Sequence, residues 1–288
     1  MTSPWDLAWS RASYYAAILT QNMSAQAAND FIIFQDTCKR LSPYVDNFNN
    51  KLILDIGCGR RYPNILLFSN LGAIVTGIDM NYIGYNELLI KRYWNELTQS
   101  GFTSFGRSVS MDLLGQRRTY YRTMDKLSEK PLNQQGLIIK RMNAEVLNLP
   151  ESYFDLALSV ACFEHIIDVS KAIPKLSRVL KPEGISYIAI HLYTSYSGSH
   201  ISNAALKKVP PWNHLRDNGT PGPVILNRLR EHDFLKLFSD NFEILDVIRE
   251  KDEQSANLLT AAVRIQLSEY AEEELLTKML IIIARKKR

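Results

Sequence analysis

The stretch Leu52-Ile-Leu-Asp-Ile-Gly-Cys-Gly-Arg60 decides the fold that this sequence predicts. A mostly aliphatic run leads without alternation into a turn with two glycines, and helical spacing begins at residue 61. A continuous apolar run is typical of a strand that is covered on both faces. Glycine permits a tight turn and a close approach of a ligand to the backbone, and the start of a helix offers free N–H groups. The segment therefore predicts a strand, a ligand-binding turn and a helix.

The same rhythm continues along the chain. Further short apolar runs predict strands at 73–78, 137–140, 154–160, 185–191, 242–247 and 279–284. Helical spacing occurs at 61–69, 84–98, 168–180 and 224–239. Strands that alternate with helices indicate a doubly wound α/β sheet. Pro174 fits the third of these helices only if its missing N–H falls in the first turn, so we expect that helix to start near Ser170.

Three segments do not follow this rhythm. Residues 1–50 have helical spacing without strand-like runs, and they predict an N-terminal helical cap in front of a domain at 51–288. Residues 101–136 are polar and partly helical in pattern, and residues 193–223 are rich in Ser, Gly, Pro and aromatic residues. Both are longer than ordinary α/β connections, which predicts that they are inserted lid loops.

Composition excludes several classes of protein. The chain has 288 residues, of which 46% are apolar and 22% charged, as in a soluble globular protein. The net charge of +4 is mild, and its one cluster, Arg285–Arg288, predicts no nucleic-acid partner. No run is long enough to cross a bilayer, so we expect no membrane insertion and a cytoplasmic location. Three dispersed cysteines (Cys38, Cys58 and Cys162) predict neither a disulfide framework nor a metal site.

Asp79 strengthens the prediction for the glycine turn, because it ends the next strand in Gly77-Ile-Asp79. Ligands of open α/β sheets bind beyond the carboxyl ends of the strands, where an acid can accept hydrogen bonds from ribose hydroxyls. A dinucleotide also fits a glycine turn followed by an acid. Its fingerprint needs a third glycine, however, and Tyr62 holds that position, so we regard a dinucleotide as the weaker alternative.

Five motifs appear in a fixed order: Asp55-Ile-Gly-Cys-Gly59, Gly77-Ile-Asp79, Asn143-Ala-Glu145 with Leu149-Pro150, Phe154–Ser159 followed by Phe163-Glu-His-Ile166, and Arg178–Gly184. In this order they resemble the class I S-adenosylmethionine-dependent methyltransferases. Within that family, the resemblance is greatest to the branch that contains the enzymes of ubiquinone and menaquinone biosynthesis. The resemblance implies a Rossmann-like, seven-stranded, mostly parallel sheet with helices on both faces and one of its last two strands antiparallel. It also implies S-adenosylmethionine as donor and S-adenosylhomocysteine as product. We expect no metal cofactor.

The resemblance also implies roles for residues of these motifs. The first motif, which begins at Asp55, would line the methionine part of the donor with Gly57, Cys58 and Gly59. Other positions would bind the ribose and adenine (Asp79, Met80), follow the adenine edge (Asn143, Ala144) and close the site (Ser159, Val160). Two departures stand out. Asn143 replaces the more common aspartate, and Arg60-Arg61 replaces a small residue and a glycine, so the arginines could narrow the pocket or bind the donor's carboxylate.

The acceptor is less well determined by the sequence. The exit of the fourth strand, Ser159–Phe163, lacks the Asn-Pro-Pro-aromatic signature of the methyltransferases that act on nucleobases or glutamine. We therefore expect O-methylation of a small-molecule acceptor. The alternatives are a peptide or lipid-linked acceptor bound along 193–223, and a non-catalytic protein that binds S-adenosylmethionine. We expect the aromatic residues of the cap and of this loop to form the acceptor pocket: Trp5, Trp9, Tyr14, Tyr15, Tyr193, Tyr196 and Trp212.

Three histidines are candidates for a general base. His165 follows the fourth strand, His191 ends the fifth, and His200 lies in the early part of the long segment 193–223. Imidazole suits proton transfer near neutral pH, although each of these side chains could instead be a structural hydrogen-bonding group. We rank His200 and His165 above His191, which lies deeper in the sheet. His214, later in the same segment, could cap a loop. The sequence makes no prediction about the oligomeric state.

Overall fold

A computed structural model describes residues 22–82, 88–216, 219, 222 and 224–287. The strands are β1 (Leu52–Ile56), β2 (Ile74–Asp79), β3 (Ile138–Arg141), β4 (Phe154–Val160), β5 (Leu180–His191), β6 (Phe242–Lys251) and β7 (Thr277–Lys286). Their order is β3-β2-β1-β4-β5-β7-β6. The pairs β2–β3, β1–β4 and β4–β5 are parallel, and β7 is antiparallel to β5 and β6. This confirms the predicted Rossmann-like, mostly parallel sheet with one antiparallel strand near its end.

The helices are α1 (Met23–Leu41), α2 (Pro63–Asn70), α3 (Leu89–Leu113), α4 (Gln116–Leu127), α5 (Val169–Val179), α6 (Asn203–Leu206), α7 (Glu231–Asn241), α8 (Glu253–Ala256), α9 (Ala261–Gln266) and α10 (Glu272–Leu276). Two short 3₁₀ turns cover Phe163–His165 and Asn213–Leu215. Among the described residues, none of the helices is both long and apolar enough to span a bilayer.

Several predicted boundaries differ from the observed ones. The helix expected at 224–239 begins only at Glu231, because the Asp233 carboxylate accepts the Arg230 N–H and so caps the helix there. The segment expected to be an inserted loop at 101–136 is mostly helical. It contains the second half of α3, which departs from helical geometry at Gly101, and all of α4. Strand β5 starts at Leu180 rather than at residue 185.

The described residues divide into two compact units. Unit one consists of residues 22–50 and the described part of 59–141. It contains α1, which packs on α4 and α2, and the strand pair β2–β3. Its aromatic core includes Phe34 and Phe68, whose rings meet edge to face with centroids 4.9 Å apart. The buried Tyr120 hydroxyl donates a hydrogen bond of 2.7 Å to Asp30 on α1, which ties α4 to α1.

Unit two consists of residues 51–58 and the described part of 142–288, with strands β1, β4, β5, β7 and β6 side by side. Helix α5 presents its apolar stripe to the interior, so Ala172, Ile173, Leu176 and Val179 are buried as their spacing predicts. Its first turn is capped by Asp168, which accepts the Lys171 N–H. The parallel strands β1, β4 and β5 bring three carboxyl ends to one edge of the sheet in this unit.

Pro174 lies in the second turn of α5 rather than in its first. The helix starts at Val169, which makes Pro174 its sixth residue, so the condition expected from the sequence is not met. Proline has no N–H to donate to the carbonyl of Ser170, and its ring crowds that carbonyl. The helix forms nevertheless because its buried stripe supplies tertiary packing.

We predict that the Pro174→Ala variant is more stable than the unmodified protein. Alanine restores a helical hydrogen bond at an exposed position, while the loss of proline raises the entropy of the unfolded chain; the net gain is about 1–2 kcal/mol. Urea unfolding measures it, with Lys175→Ala at the neighbouring exposed position as the control. An unchanged or lower free energy of unfolding for Pro174→Ala would contradict the prediction.

Candidate functional site

The glycine turn follows β1 directly. Gly57 has a φ of 75°, a left-handed conformation that favours glycine. A side chain at this position would place its Cβ 2.3 Å from the sulfur of Cys162, just after β4. Gly57 is therefore required for the close approach of these two segments in unit two. Gly59 also has a left-handed φ, of 67°, but apart from its chain neighbours no atom of the described residues lies within 4 Å of the position where its Cβ would be. Within the described structure this backbone is therefore open to a ligand.

The two glycines predict different costs of substitution. Gly57→Ala combines backbone strain with the collision against Cys162, and we expect it to lower the free energy of unfolding by about 2–5 kcal/mol. Gly59→Ala has the strain alone, and we expect a loss of about 1–2 kcal/mol. Urea denaturation of both variants checks the pair. Equal losses would mean that the contact between Gly57 and Cys162 is not what requires glycine.

Asp79 holds the second half of the glycine turn. At the end of β2 its Oδ2 accepts the Gly59 N–H at 3.0 Å, and its Oδ1 accepts the Asn81 N–H at 2.6 Å. Each carboxylate oxygen has a second lone pair for a further donor such as a ribose hydroxyl. The structure thus brings together two residues, Gly59 and Asp79, that the sequence predicted as parts of one ligand site.

The two arginines after the turn bind acidic side chains of unit one. Arg60 forms an ion pair of 2.9 Å with the buried Glu96, whose other oxygen accepts the Ser108 hydroxyl. Arg61 lies 3.8 Å from the carboxylate of Asp30, and its guanidinium lies over the ring of Tyr120. Both arginines therefore have protein carboxylates beside them. Tyr62, which holds the third glycine position, is buried with a left-handed φ of 40°.

The remaining predicted donor residues divide by exposure. Asp55, Cys58 and Ala144 are buried, Asn143 and Val160 are half-buried, and Met80 is exposed. Ser159 is buried and its hydroxyl donates to the carbonyl of Ile56, which ties β4 to β1. The Asn143 side-chain oxygen accepts the Glu145 N–H at 2.9 Å and so caps the following turn. The side chains of Ser159 and Asn143 thus support the local backbone, and their roles toward the donor stay predictions.

The three candidate bases lie together in unit two. The ring centroids of His191 and His200 are 4.6 Å apart, and those of His165 and His200 are 5.0 Å apart. His165 is exposed, and its Nδ1 lies 3.1 Å from the carbonyl of Ile225. A carbonyl only accepts hydrogen bonds, so Nδ1 carries the proton in the neutral ring and Nε2 has a lone pair for a proton. His191 Nε2 lies 2.9 Å from the Ser197 hydroxyl.

Glu164 is a residue of this cluster whose importance the sequence analysis missed. It lies in the 3₁₀ turn after β4, it is 2% exposed, and neither carboxylate oxygen has a hydrogen-bond partner among the described residues. Burial raises the pKa of its carboxyl to about 8, while the backbone N–H groups of Glu164 and His191 act in the opposite direction without reaching hydrogen-bond geometry. In the sequence, only the adjacent pair Glu164-His165 drew attention to this residue. That the Glu164 carboxylate has no hydrogen-bond partner among the described residues is visible only in the folded structure.

Burial also changes the imidazoles of the cluster. It lowers the pKa of His191 to about 3 and that of His200 to about 4, and the neighbouring histidines contribute in the same direction. Both rings are therefore neutral at pH 7. The Nε2 of His214 donates to the carbonyl of Tyr193 at 2.8 Å, as expected of a histidine that caps a loop.

Among the aromatic residues expected to line an acceptor pocket, Tyr196 lines a cleft in unit two, whereas Trp212 has a different role. Trp212 is buried in a core with Leu259, Val263, Leu267 and Leu275, and Tyr196 packs against it. The expectation that Trp212 lines an acceptor pocket is therefore wrong. Its ring packs residues 193–223 against the helices α9 and α10. The predicted cap aromatics Trp5, Trp9, Tyr14 and Tyr15 lie outside the described residues.

Residues 117–188, about a quarter of the chain, match the family model of a methyltransferase domain. This match supports methyltransferase activity. The match includes β3, β4 and most of β5, and thus the turn with Glu164 and His165, whereas the glycine turn and Asp79 precede it. No curated protein sequence matches the chain.

Solved structures are similar to this chain at low identity. One is an S-adenosylmethionine-dependent methyltransferase from Mesorhizobium loti, at 17% identity and a TM-score of 0.49, with 86% of this chain and 96% of that chain covered. Another is an S-adenosylmethionine-dependent methyltransferase from Methanosarcina mazei, at 21% identity and a TM-score of 0.47, with the same two coverages.

Proposed function

We propose that this methyltransferase transfers the methyl group of S-adenosylmethionine to a hydroxyl of a small-molecule acceptor. The observation that carries the proposal is the histidine cluster at the carboxyl ends of β4 and β5. A hydroxyl loses a proton when it is methylated, and imidazole is the side chain most often used to accept one. The branch of the family suggested by the sequence resemblance is part of the same proposal.

In this proposal His165 accepts the acceptor's proton. It is exposed, whereas His191 and His200 are half-buried, and its hydrogen bond to Ile225 leaves the Nε2 lone pair for the acceptor. Of the two histidines ranked highest as candidate bases from the sequence, His200 and His165, we therefore keep His165 alone. Positioning of the acceptor supplies the rest of the rate, because methyl transfer needs its nucleophile in line with the sulfonium methyl group.

A cleft in unit two supports a small acceptor. It has a volume of about 1010 Å³, at the upper end of the range for small-molecule sites. Ser197, whose hydroxyl contacts His191, is one of its lining residues, so the cleft adjoins the histidine cluster. Its lining carries charges of both signs, including Lys207, Lys278 and Glu250. A polar metabolite with hydroxyl groups suits such a surface.

For the donor, we propose that Asp79 binds the ribose and that the turn Gly57–Gly59 binds the methionine part. What supports this is the open backbone at Gly59 and the spare lone pairs of Asp79. The predicted roles of Asp55, Met80, Asn143, Ala144, Ser159 and Val160 belong to the same proposal. The product is S-adenosylhomocysteine.

A metabolite extract treated with the enzyme and the donor tests the function. We expect one compound to gain about 14 Da, the mass of one CH₂, and to lose its reactivity as a free hydroxyl. A His165→Gln sample is the matched negative control. A mass gain on a peptide or lipid fraction instead would favour the alternative acceptors, and donor binding without any mass gain would favour a non-catalytic protein.

A further inference from the structure

The side chains of Glu164, His191 and His200 lie together and have no chemical role in the methyl-transfer proposal, in which His165 is the base. Their ligand-forming atoms all lie within 4.8 Å of one another. They come from three places in unit two: the turn after β4, the end of β5, and the segment that follows it. We propose that these three residues bind a divalent transition-metal ion.

The first argument is the absence of other partners. Both carboxylate oxygens of Glu164 and the Nε2 of His200 are buried, and no described residue is within hydrogen-bond geometry of them. Buried polar atoms normally have a partner, because an unpartnered one costs about 1–3 kcal/mol. A cation at the centre of the cluster satisfies all of these atoms at once.

The second argument is the way the backbone is shaped to bring His200 to this place. The chain turns back after β5 at Gly198, whose N–H donates to the carbonyl of Ser195. A Cβ at Gly198 would lie 2.2 Å from the carbonyl oxygen of Tyr193, so only glycine fits this turn. The next residues carry the His200 ring to within 4.6 Å of the His191 ring. The tight turn therefore holds two imidazoles side by side above one carboxylate.

The third argument is the chemistry of the ligand set. Two imidazoles and one carboxylate suit Zn²⁺ or Fe²⁺, whereas Mg²⁺ and Ca²⁺ prefer oxygen ligands alone. An ion about 2.0–2.2 Å from each ligand needs ligand atoms roughly 3–3.5 Å apart. The ligand atoms here lie up to 4.8 Å apart. Movements of about 1 Å in each side chain would bring them to that distance, and side-chain torsions allow such movements. Three protein ligands leave further coordination positions open.

The open positions suggest what the ion would do. A metal-bound hydroxyl loses its proton at a much lower pH than a free one, so an acceptor hydroxyl on the ion would become a better nucleophile. This role rests on the proposed function, whereas the binding of the ion does not. This inference departs from the expectation of a metal-free enzyme. That expectation rested on cysteine spacing, which says nothing about histidines that come together only in the folded chain.

Direct metal binding tests the proposal without any acceptor. The full chain, freed of metal with a chelator, is titrated with Zn²⁺ by calorimetry and with Co²⁺ by visible absorption. We expect one ion per chain and a cobalt spectrum of nitrogen and oxygen ligands, without the intense thiolate-to-cobalt bands that Cys58 or Cys162 would produce. Zinc that binds with thiolate bands, or no stoichiometric binding, would overturn the proposal.

Variants locate the ion. We expect Glu164→Gln and His200→Gln each to weaken Zn²⁺ binding roughly a hundredfold or more, beyond the effect of losing a residue that only supports a metal ligand. His232→Gln, an exposed histidine on α7, is the matched control and should bind as the unmodified protein does. His200 lies in a loop, so its variant keeps the test decisive if Glu164→Gln fails to fold. Unchanged affinity in a folded His200→Gln protein would overturn the site.

Donor binding separates this proposal from the proposed function. S-adenosylhomocysteine binding by the metal-free protein should be within about threefold of that by the zinc-loaded protein, because no proposed donor residue is a proposed metal ligand. Loss of zinc binding with retained donor binding would overturn the metal site alone. Loss of donor binding with retained zinc binding would overturn the proposed donor site alone.

Discussion

The His165→Gln variant is expected to lose about 10²–10⁴-fold in kcat and to keep its affinity for S-adenosylhomocysteine. Glutamine preserves the polarity and much of the volume of the side chain, but its amide cannot accept a proton at neutral pH. General-base assistance contributes a factor of this size. Turnover of the acceptor found in the extract measures kcat, and calorimetry measures the donor affinity.

The control for this variant is His232→Gln, in which an exposed histidine on α7 is changed in the same way. It should retain full activity. If His165→Gln loses less than about tenfold in kcat, transfer depends on positioning alone and His165 is not the base. A loss of stability or of donor affinity would instead indicate that the contact of His165 with Ile225 is its main role.

The Asp79→Ala variant is expected to bind S-adenosylhomocysteine more weakly by roughly 1–3 kcal/mol, or about 5- to 150-fold. The loss follows from hydrogen bonds between the ribose hydroxyls and a charged acceptor. Asp46→Ala, which removes an exposed acid of the same unit, is the matched control and should leave the affinity unchanged.

A second ligand separates recognition of the ribose from support of the turn, since Asp79 also accepts the Gly59 N–H. Against an analogue of S-adenosylhomocysteine without the two ribose hydroxyls, Asp79→Ala should cost little compared with the unmodified protein. An equal loss for both ligands would mean that Asp79 acts only by holding the backbone of the glycine turn.

The sheet was predictable because a buried strand is recognised from the apolar residues of the strand itself. The runs at β1 and β4 are mostly apolar, and the observed bounds equal the predicted ones. Strand β5 was predicted too short because the prediction used only the residues of the strand itself. Its first residues, from Leu180 to Gly184, include a proline and a glycine, which indicate a turn when they are considered alone.

The candidate site was only partly predictable, because its parts are defined by neighbours that are distant in the chain. The glycine turn and Asp79 were found from local pattern and spacing, and their hydrogen bond agrees with that pairing. The partner of Arg60 is Glu96, on a helix whose beginning no motif marks. Trp212 looked like a ligand-binding aromatic residue, but its ring fills a core formed by residues far along the chain.

Calorimetric titration of the unmodified protein with S-adenosylhomocysteine tests the central claim most directly, because this ligand needs no acceptor and no turnover. The claim is that the glycine turn and Asp79 form the binding site of a methyl donor. We predict saturable binding of one molecule per chain, weakened in Asp79→Ala and unchanged in Asp46→Ala. Absence of binding by the folded, unmodified protein, or equal binding by Asp79→Ala, would contradict it.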